Sequence, residues 1–246
     1  SSQGLTLMVP VLYPIAGERL PAVLHVASRT VGTHAMSIFG DHSDVYACRQ
    51  TGYAMLAESN PQEVMDLGAV AHLATIKGRV PFLNFFDGFR TSHEISKIEA
   101  IDYEDFKNLV DYEALEDFRA HALNPEHPLL RATVQNPDVY FQVREANNRF
   151  YDAIPGIVEN YMNEINKITG RDYKLFNYYG DPEAEKVIVA MGSVSSTICQ
   201  TVDYLNALGE KVGFVQVHLY RPFSCERLLE AIPVTAKKIA VLDRCK

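Results

Sequence analysis

The sequence predicts an α/β protein of two parallel-sheet domains with helices on both sheet faces, and three observations carry that prediction. Short runs such as PAVLHVA, RVPFLNFF, VIVAM and KIAVLD are apolar at nearly every position, as strands covered on both faces are. Stretches of helix length separate most of these runs, so crossovers rather than tight hairpins join them and the pairing is parallel with right-handed connections. The composition also shifts after the polar, tyrosine-rich RDYKLFNYYGDPEAE, beyond which strand and helix alternate regularly. A second domain is therefore expected from about residue 173.

Taken in order, SQGLTLMV reads as a helix or helix end, and residues 23–27 as the first strand. Residues 28–40 read as a short helix or irregular turn over the strand edge, and 45–47 as a brief second strand. Asn60-Pro61 opens a helix, with Asn60 as N-cap, Pro61 at its first position and Glu63 in its first turn. It runs through VMDLGAVAHLATIK, apolar on most sides and hence buried, and should close on Gly78 in the left-handed conformation. Residues 79–86 form the next strand. The pattern then loosens: a loop over DGFRTSHEISKIEAID, amphipathic helices over 103–109 and 112–122, and a polar loop over 124–155. A loop of that length is functional or wraps a partner. An amphipathic helix over 156–169 closes at Gly170. VIVAM, GSVSSTICQTVDYLNALG, KVGFVQVHLY, SCERLLEAI and KKIAVLD then follow as strand, helix, strand, helix and strand.

The 246 residues suffice for one large or two ordinary domains, and 47% apolar with 22% charged residues is the balance of a globular protein. A net charge of -8 without a basic tract argues against a nucleic-acid partner. No apolar run approaches the roughly 18 residues of a membrane span, so no membrane partner is expected. Cys48, Cys199, Cys225 and Cys245 are scattered without a C-x-x-C, which encodes neither a zinc site nor an iron–sulfur cluster. Free thiols of this kind suit a reducing, cytoplasmic setting. The start without Met and the stop just after an apolar run lead us to expect a piece of a longer protein.

Candidate site residues concentrate between His25 and Ser59, where a buried strand runs into Arg29, His34, Asp41, His42, Asp44, Arg49 and Gln50. Polar groups at that position belong to the carboxyl edge of a parallel sheet, where ligands bind, and this stretch is expected to form an active-site wall. Asp41, His42 and Asp44 are better explained as loop hydrogen-bonding groups beside Gly40 than as metal ligands, so no metal is assigned. Arg49 is expected to pair with one of those carboxylates. At the end of the strand RVPFLNFF, the residues Asp87, Arg90, His93 and Glu94 are expected to form an ion-pair network. A hydrolase triad of Ser92, His93 and Asp87 lacks the G-x-S-x-G elbow. Met191-Gly192-Ser193 reads as a plain strand-to-helix turn rather than a nucleotide site.

SQGLTLM, HVASR, SIFGDHSDVYACRQTGYAML, PFLNFFDGFRTSHE and NPEHPLLRATVQNPDVYFQ together resemble pyruvate:ferredoxin (flavodoxin) oxidoreductase, over essentially the whole chain. The resemblance implies that residues 1–172 are the thiamine pyrimidine-binding domain, lacking its start. Residues 173–246 would be a transketolase-C-terminal-like domain, lacking its end. It implies oxidative decarboxylation of pyruvate to acetyl-CoA and CO2 in anaerobic metabolism. The cofactors would be thiamine diphosphate with magnesium and [4Fe–4S] clusters, whose ligands lie outside this segment. Coenzyme A, ferredoxin or flavodoxin, the remaining domains and a second copy in a homodimer would be the partners. The segment alone should neither hold the cofactor tightly nor turn over. Within SRTVGTHAMSI, Arg29 matches the family's substrate arginine and Ile38 an apolar residue near the substrate methyl group; no cofactor-binding residue is assigned. Three other readings stand beside this one: a sister enzyme for another 2-oxoacid, a non-catalytic α/β assembly module, and an unrelated hydrolase.

Overall fold

The computed structural model describes residues 1–245. Its elements run α1 (Ser2–Leu7), α2 (Val9–Gly17), β1 (Val23–Ser28), α3 (Ser43–Cys48), β2 (Ala54–Glu58), α4 (Pro61–Gly78) and β3 (Phe82–Asp87). Then come α5 (Tyr103–Leu109), α6 (Tyr112–Ala120), α7 (Pro137–Glu145), α8 (Asn148–Thr169), β4 (Phe176–Gly180) and β5 (Lys186–Ala190). The chain ends with α9 (Val194–Ala207), β6 (Val212–Val217), β7 (Leu219–Arg221), α10 (Cys225–Ala231) and β8 (Lys238–Val241). They form two mixed, mostly parallel four-stranded sheets, ordered β1-β3-β2-β7 and β4-β6-β5-β8.

The α/β class holds, with a correction: each sheet carries an antiparallel strand at its margin. In the first, β1, β3 and β2 are parallel, but β7 pairs antiparallel with β2. In the second, β5 pairs parallel with β6 and β8, while β4 lies antiparallel on β6. The stretch after α9 thus serves both sheets, changing over at His218, whose carbonyl accepts the Ala57 N–H at 2.8 Å. One apolar cluster joins Phe82, Met55 and Leu67 with Val187, Val215 and Leu219, so the sheets share a core.

The helix α4 forms where its cap chemistry demands. The Asn60 side chain accepts the Glu63 N–H at 3.0 Å, and ten of its residues are buried, Leu67, Val70, Ala71 and Ala74 among them. Its left-handed end is Arg79 (φ 55°) rather than Gly78. Gly78 is needed for another reason: a Cβ there would meet Ile154 of α8 at 2.6 Å.

Other expectations need correction. Residues 45–47 are helical within α3, because Val45 and Cys48 turn inward on one side of a helix while Tyr46 and Ala47 do not. The second strand is AMLAE, buried at every position. Of the two forms expected for residues 28–40, the irregular one is found: a strand end at Ser28 and then a loop. The polar stretch 124–155 is not loop throughout, since it holds α7 and the first turns of α8, which begins at Asn148 and continues through Pro155. Residues 121–145 are nonetheless exposed apart from Arg131. Among the described residues, no helix is long and apolar enough to cross a membrane.

Candidate functional site

The carboxyl ends of β1 and β3 lie side by side, with Ser28 opposite Asp87 in the parallel register. Next along the chain come Arg29 on one strand and Gly88 on the other. The Gly88 N–H continues the ladder to the Ser28 carbonyl at 2.8 Å. The loop that leaves β1 returns as α3, whose first residues tuck beneath this edge.

Asp44 is fully buried and saturated. Its carboxylate accepts the Ser28 hydroxyl at 2.6 Å, the Val45 N–H at 2.7 Å, the Ser2 N–H at 2.6 Å and the Arg29 N–H at 3.1 Å. The Arg29 backbone is therefore anchored to an acid whose oxygens are engaged. Asp41 closes its own turn on the Ser43 N–H at 2.7 Å, and the Ser43 hydroxyl accepts the Val31 N–H at 2.9 Å. The loop is held at both ends by backbone bonds, which is why it needs so many short polar side chains.

Asp87 is the second saturated acid. One oxygen accepts His42 Nε2–H at 2.8 Å; the other accepts the Ser193 N–H at 2.9 Å, the Ser193 hydroxyl at 2.5 Å and Arg244 at 2.5 Å. Burial alone would raise its pKa, but the bonds from His42 and Ser193 outweigh burial and hold it well below the usual carboxylate range. Two glycines make the approach possible: a Cβ on Gly40 would lie 2.8 Å from Asp87 Cβ, and one on Gly192 (φ 82°) would lie 3.1 Å from Asp87 Oδ2. The anion at the Met191-Gly192-Ser193 turn is thus this aspartate, supplied by the first sheet.

Asp41, His42 and Asp44 each hydrogen-bond a different partner, and among the described residues no three His, Cys, Asp or Glu side chains converge on a metal position. Two predicted pairings do not occur. Arg49 is exposed and donates to the Tyr46 carbonyl at 3.4 Å instead of pairing with a carboxylate. The expected network of Asp87, Arg90, His93 and Glu94 is absent: Arg90 lies over the Phe39 ring, while His93 bonds Ser92 at 2.9 Å and packs on Phe89. Asp87 is bound to His42 rather than to His93. His34 and Gln50 are exposed, away from these networks.

Arg29 stands apart from all of this. Its side chain lies across Gly88, its Nε is buried without a hydrogen-bond partner, and among the described residues it joins no ion pair. Beside it the loop carries Met36, Ile38 (55% exposed) and Phe39, which are apolar and open to solvent. Phe39 meets Phe89 edge to face with ring centroids 4.9 Å apart. The edge therefore offers the guanidinium of Arg29, without an ion pair among the described residues, beside an apolar rim.

A polar row on the other sheet face was not singled out from the sequence. Glu58, at the end of β2, is fully buried and neither carboxyl oxygen has a hydrogen-bond partner by distance and angle. Burial pushes its pKa well above the usual range, although the Asn84 amide beside it pulls the other way. Asn84 bonds His25 Nδ1 at 3.1 Å, and His25 meets His72 Nε2 at 3.1 Å. Burial lowers the pKa of both imidazoles. The available signal was a Glu and an Asn inside the apolar runs AMLAE and FLNFF.

Comparison with known proteins sets this edge in context. Residues 1–163 match the family model for pyruvate flavodoxin/ferredoxin oxidoreductase, thiamine diP-bdg, and residues 184–246 that for pyruvate:ferredoxin oxidoreductase core domain II. The whole chain is 62% identical to a pyruvate-flavodoxin oxidoreductase of Enterobacter agglomerans and 60% identical to a pyruvate:ferredoxin oxidoreductase of Moorella thermoacetica, spanning 21% of the length of each. It is 52% identical to the pyruvate dehydrogenase [NADP(+)] of Cryptosporidium parvum, spanning 13% of that protein. Among solved structures, a 2-oxoglutarate:ferredoxin oxidoreductase from Magnetococcus marinus, with 2-oxoglutarate, coenzyme A and succinyl-CoA bound, shares the fold. The TM-score is 0.62 at 16% identity, over 98% of this chain and 44% of that one.

Proposed function

Because the chain belongs to the pyruvate flavodoxin/ferredoxin oxidoreductase family, we propose that it is the substrate-gripping part of an enzyme that oxidatively decarboxylates pyruvate. We place its two domains at 1–172 and 173–246; the family matches on either side of residue 173 support that division, even though β7 rejoins the first sheet. Thiamine diphosphate would serve the complete enzyme, with coenzyme A accepting the acetyl group and ferredoxin or flavodoxin the electrons, in a cytoplasmic homodimer.

The residues present do not themselves fit the cofactor's polar partners. An aminopyrimidine ring needs a free carboxylate, but Asp44 and Asp87 are saturated and Glu58 is sealed inside the core. Magnesium finds no ligand cluster among the described residues, and the four cysteines are scattered without a disulfide, so [4Fe–4S] ligands also belong elsewhere in the enzyme. The cofactor supplies the electron sink for decarboxylation, and this chain supplies grip and orientation.

The observation that carries the reading is the unpaired Arg29 at the carboxyl edge of β1. A planar guanidinium takes a carboxylate by two parallel N–H···O bonds and so fixes the plane of a 2-oxoacid and the direction of its carbonyl. Ile38 on the neighbouring apolar rim suits a methyl group and limits chain length, favouring pyruvate over longer or acidic 2-oxoacids. The 52% identity to a relative named for NADP(+) supports placing the choice of electron acceptor outside this segment.

Steady-state kinetics of the complete oxidoreductase test the role of Arg29. Arg29→Ala should raise KM for pyruvate and lower kcat/KM by a factor on the order of 10²–10³, the loss of a charge-assisted contact of ~2–4 kcal/mol. Arg29→Lys should recover only part of this, because a point charge cannot hold both oxygens in plane. A kcat/KM within about threefold of wild type, with cofactor content unchanged, refutes the assignment.

A further inference from the structure

Gly88 lies where the Arg29 side chain must pass. A Cβ built on it would sit 2.4 Å from Arg29 Cγ, 2.8 Å from Arg29 Nε and 2.7 Å from the Ser28 carbonyl oxygen. No carbon packs at those separations, so any side chain at position 88 must push Arg29 aside or shift the end of β1. Backbone conformation does not explain the glycine, because Gly88 is absent from the left-handed glycines, where φ alone excludes side chains. The left-handed residue is the next one, Phe89 (φ 65°), whose N–H donates to the Ser92 hydroxyl at 2.8 Å. That conformation costs energy for a bulky residue and turns the chain away directly after Gly88. The turn also carries the Phe89 ring against Phe39, on the loop that holds Ile38.

We propose that Gly88 is a positioning residue for Arg29: its bare Cα is the floor on which the arginine stem lies, and this sets the direction in which the guanidinium meets the substrate carboxylate. Asp44 fixes the start of the arginine through its backbone N–H, and Gly88 fixes its path. Since Arg29 Nε has no hydrogen-bond partner and the side chain joins no ion pair among the described residues, shape directs the stem. The inference rests on the reading of Arg29 given above.

A double-substitution cycle in the complete oxidoreductase tests it, read by KM and kcat for pyruvate, by the inhibition constant of oxamate (a carboxylate that binds without turning over), and by thermal midpoint. Gly88→Ala should raise KM and the oxamate constant about 10-fold or more while moving kcat less, as loss of ground-state grip does. In the Arg29→Ala background the clashing Cγ and Nε are gone, so adding Gly88→Ala should change the oxamate constant by less than about threefold. If Arg29→Ala weakens oxamate strongly but Gly88→Ala has no effect, or multiplies its full effect onto Arg29→Ala, the positioning role is wrong and the Arg29 assignment survives. If Arg29→Ala itself leaves oxamate binding unchanged, both fall. Should Gly88→Ala alone fail to fold, recovery of the folded protein in the double variant supports the proposal. Continued failure points to the Ser28 carbonyl and overturns it.

Discussion

Replacing Asp87 by Asn removes the charge at the point where the first sheet meets the second. The fully buried carboxylate accepts from His42, from the Ser193 N–H and hydroxyl, and from Arg244, all at 2.5–2.9 Å. An amide keeps one acceptor oxygen but turns an NH2 group toward donors and leaves Arg244 without a counter-charge. Breaking a buried ionic network from one side costs ~3–5 kcal/mol. Arg244 is one-third exposed and can recover water, so the lower end of that range, ~3 kcal/mol, is expected. For a chain of this length that corresponds to a loss of about 6–12 °C in Tm. The pH dependence has a definite sign. Because the folded pKa lies below the ordinary 3.8, the carboxylate's contribution is fully present above that value and is lost as pH falls through the folded pKa. Urea denaturation of wild type and Asp87→Asn should therefore differ by a constant amount between about pH 5 and 8 and converge in acid. A difference under about 1 kcal/mol at neutral pH, or one that widens on acidification, refutes the reasoning.

Two further perturbations follow from the same geometry. Glu58→Gln should stabilise the protein above neutrality by ~1 kcal/mol or more, since burial of the carboxylate outweighs what the neighbouring Asn84 amide returns. The folded pKa lies above the unfolded value of about 4.5, so wild-type stability falls as pH rises through that window, and parallel melting curves for the two proteins between pH 5 and 9 would contradict this. Asn60→Ala, which deletes the cap accepting the Glu63 N–H, should cost ~1 kcal/mol in the urea midpoint, with Asp restoring most of it; an unchanged midpoint would show that packing of α4 alone sets its start.

Whatever is local in the fold could be read from the sequence. The start of α4 needs only Asn60, Pro61 and Glu63, three neighbours whose chemistry is complete without the rest of the chain. The strand β3 was legible because both its faces are covered, so its run is apolar throughout. The misreadings have one cause. The segment VYA has good strand formers, yet it lies in α3 because Asp44 and Val45 must turn toward Ser28 and the core. Likewise β4, with the sequence FNYYG, looks like a polar linker because its outer end is exposed. Its strand character comes from pairing with β6, some forty residues later.

The candidate site divides in the same way. Arg29 could be proposed from the sequence because its motif is contiguous, whereas the Asp87 partners Ser193 and Arg244 lie 106 and 157 residues along the chain. Those distant partners bear on Arg29 all the same. Arg29 bonds Asp44 through its backbone N–H, and its stem lies on Gly88, the residue after Asp87; an arginine neutralised by either acid could not receive a substrate anion. Here Asp44 is occupied by Ser2, Ser28, Arg29 and Val45, three of them through backbone N–H groups, and Asp87 by His42, Ser193 and Arg244. Each acid thus spends its lone pairs on groups that hold the architecture together. Arg29, the residue the family motif marks, is left without an ion pair among the described residues.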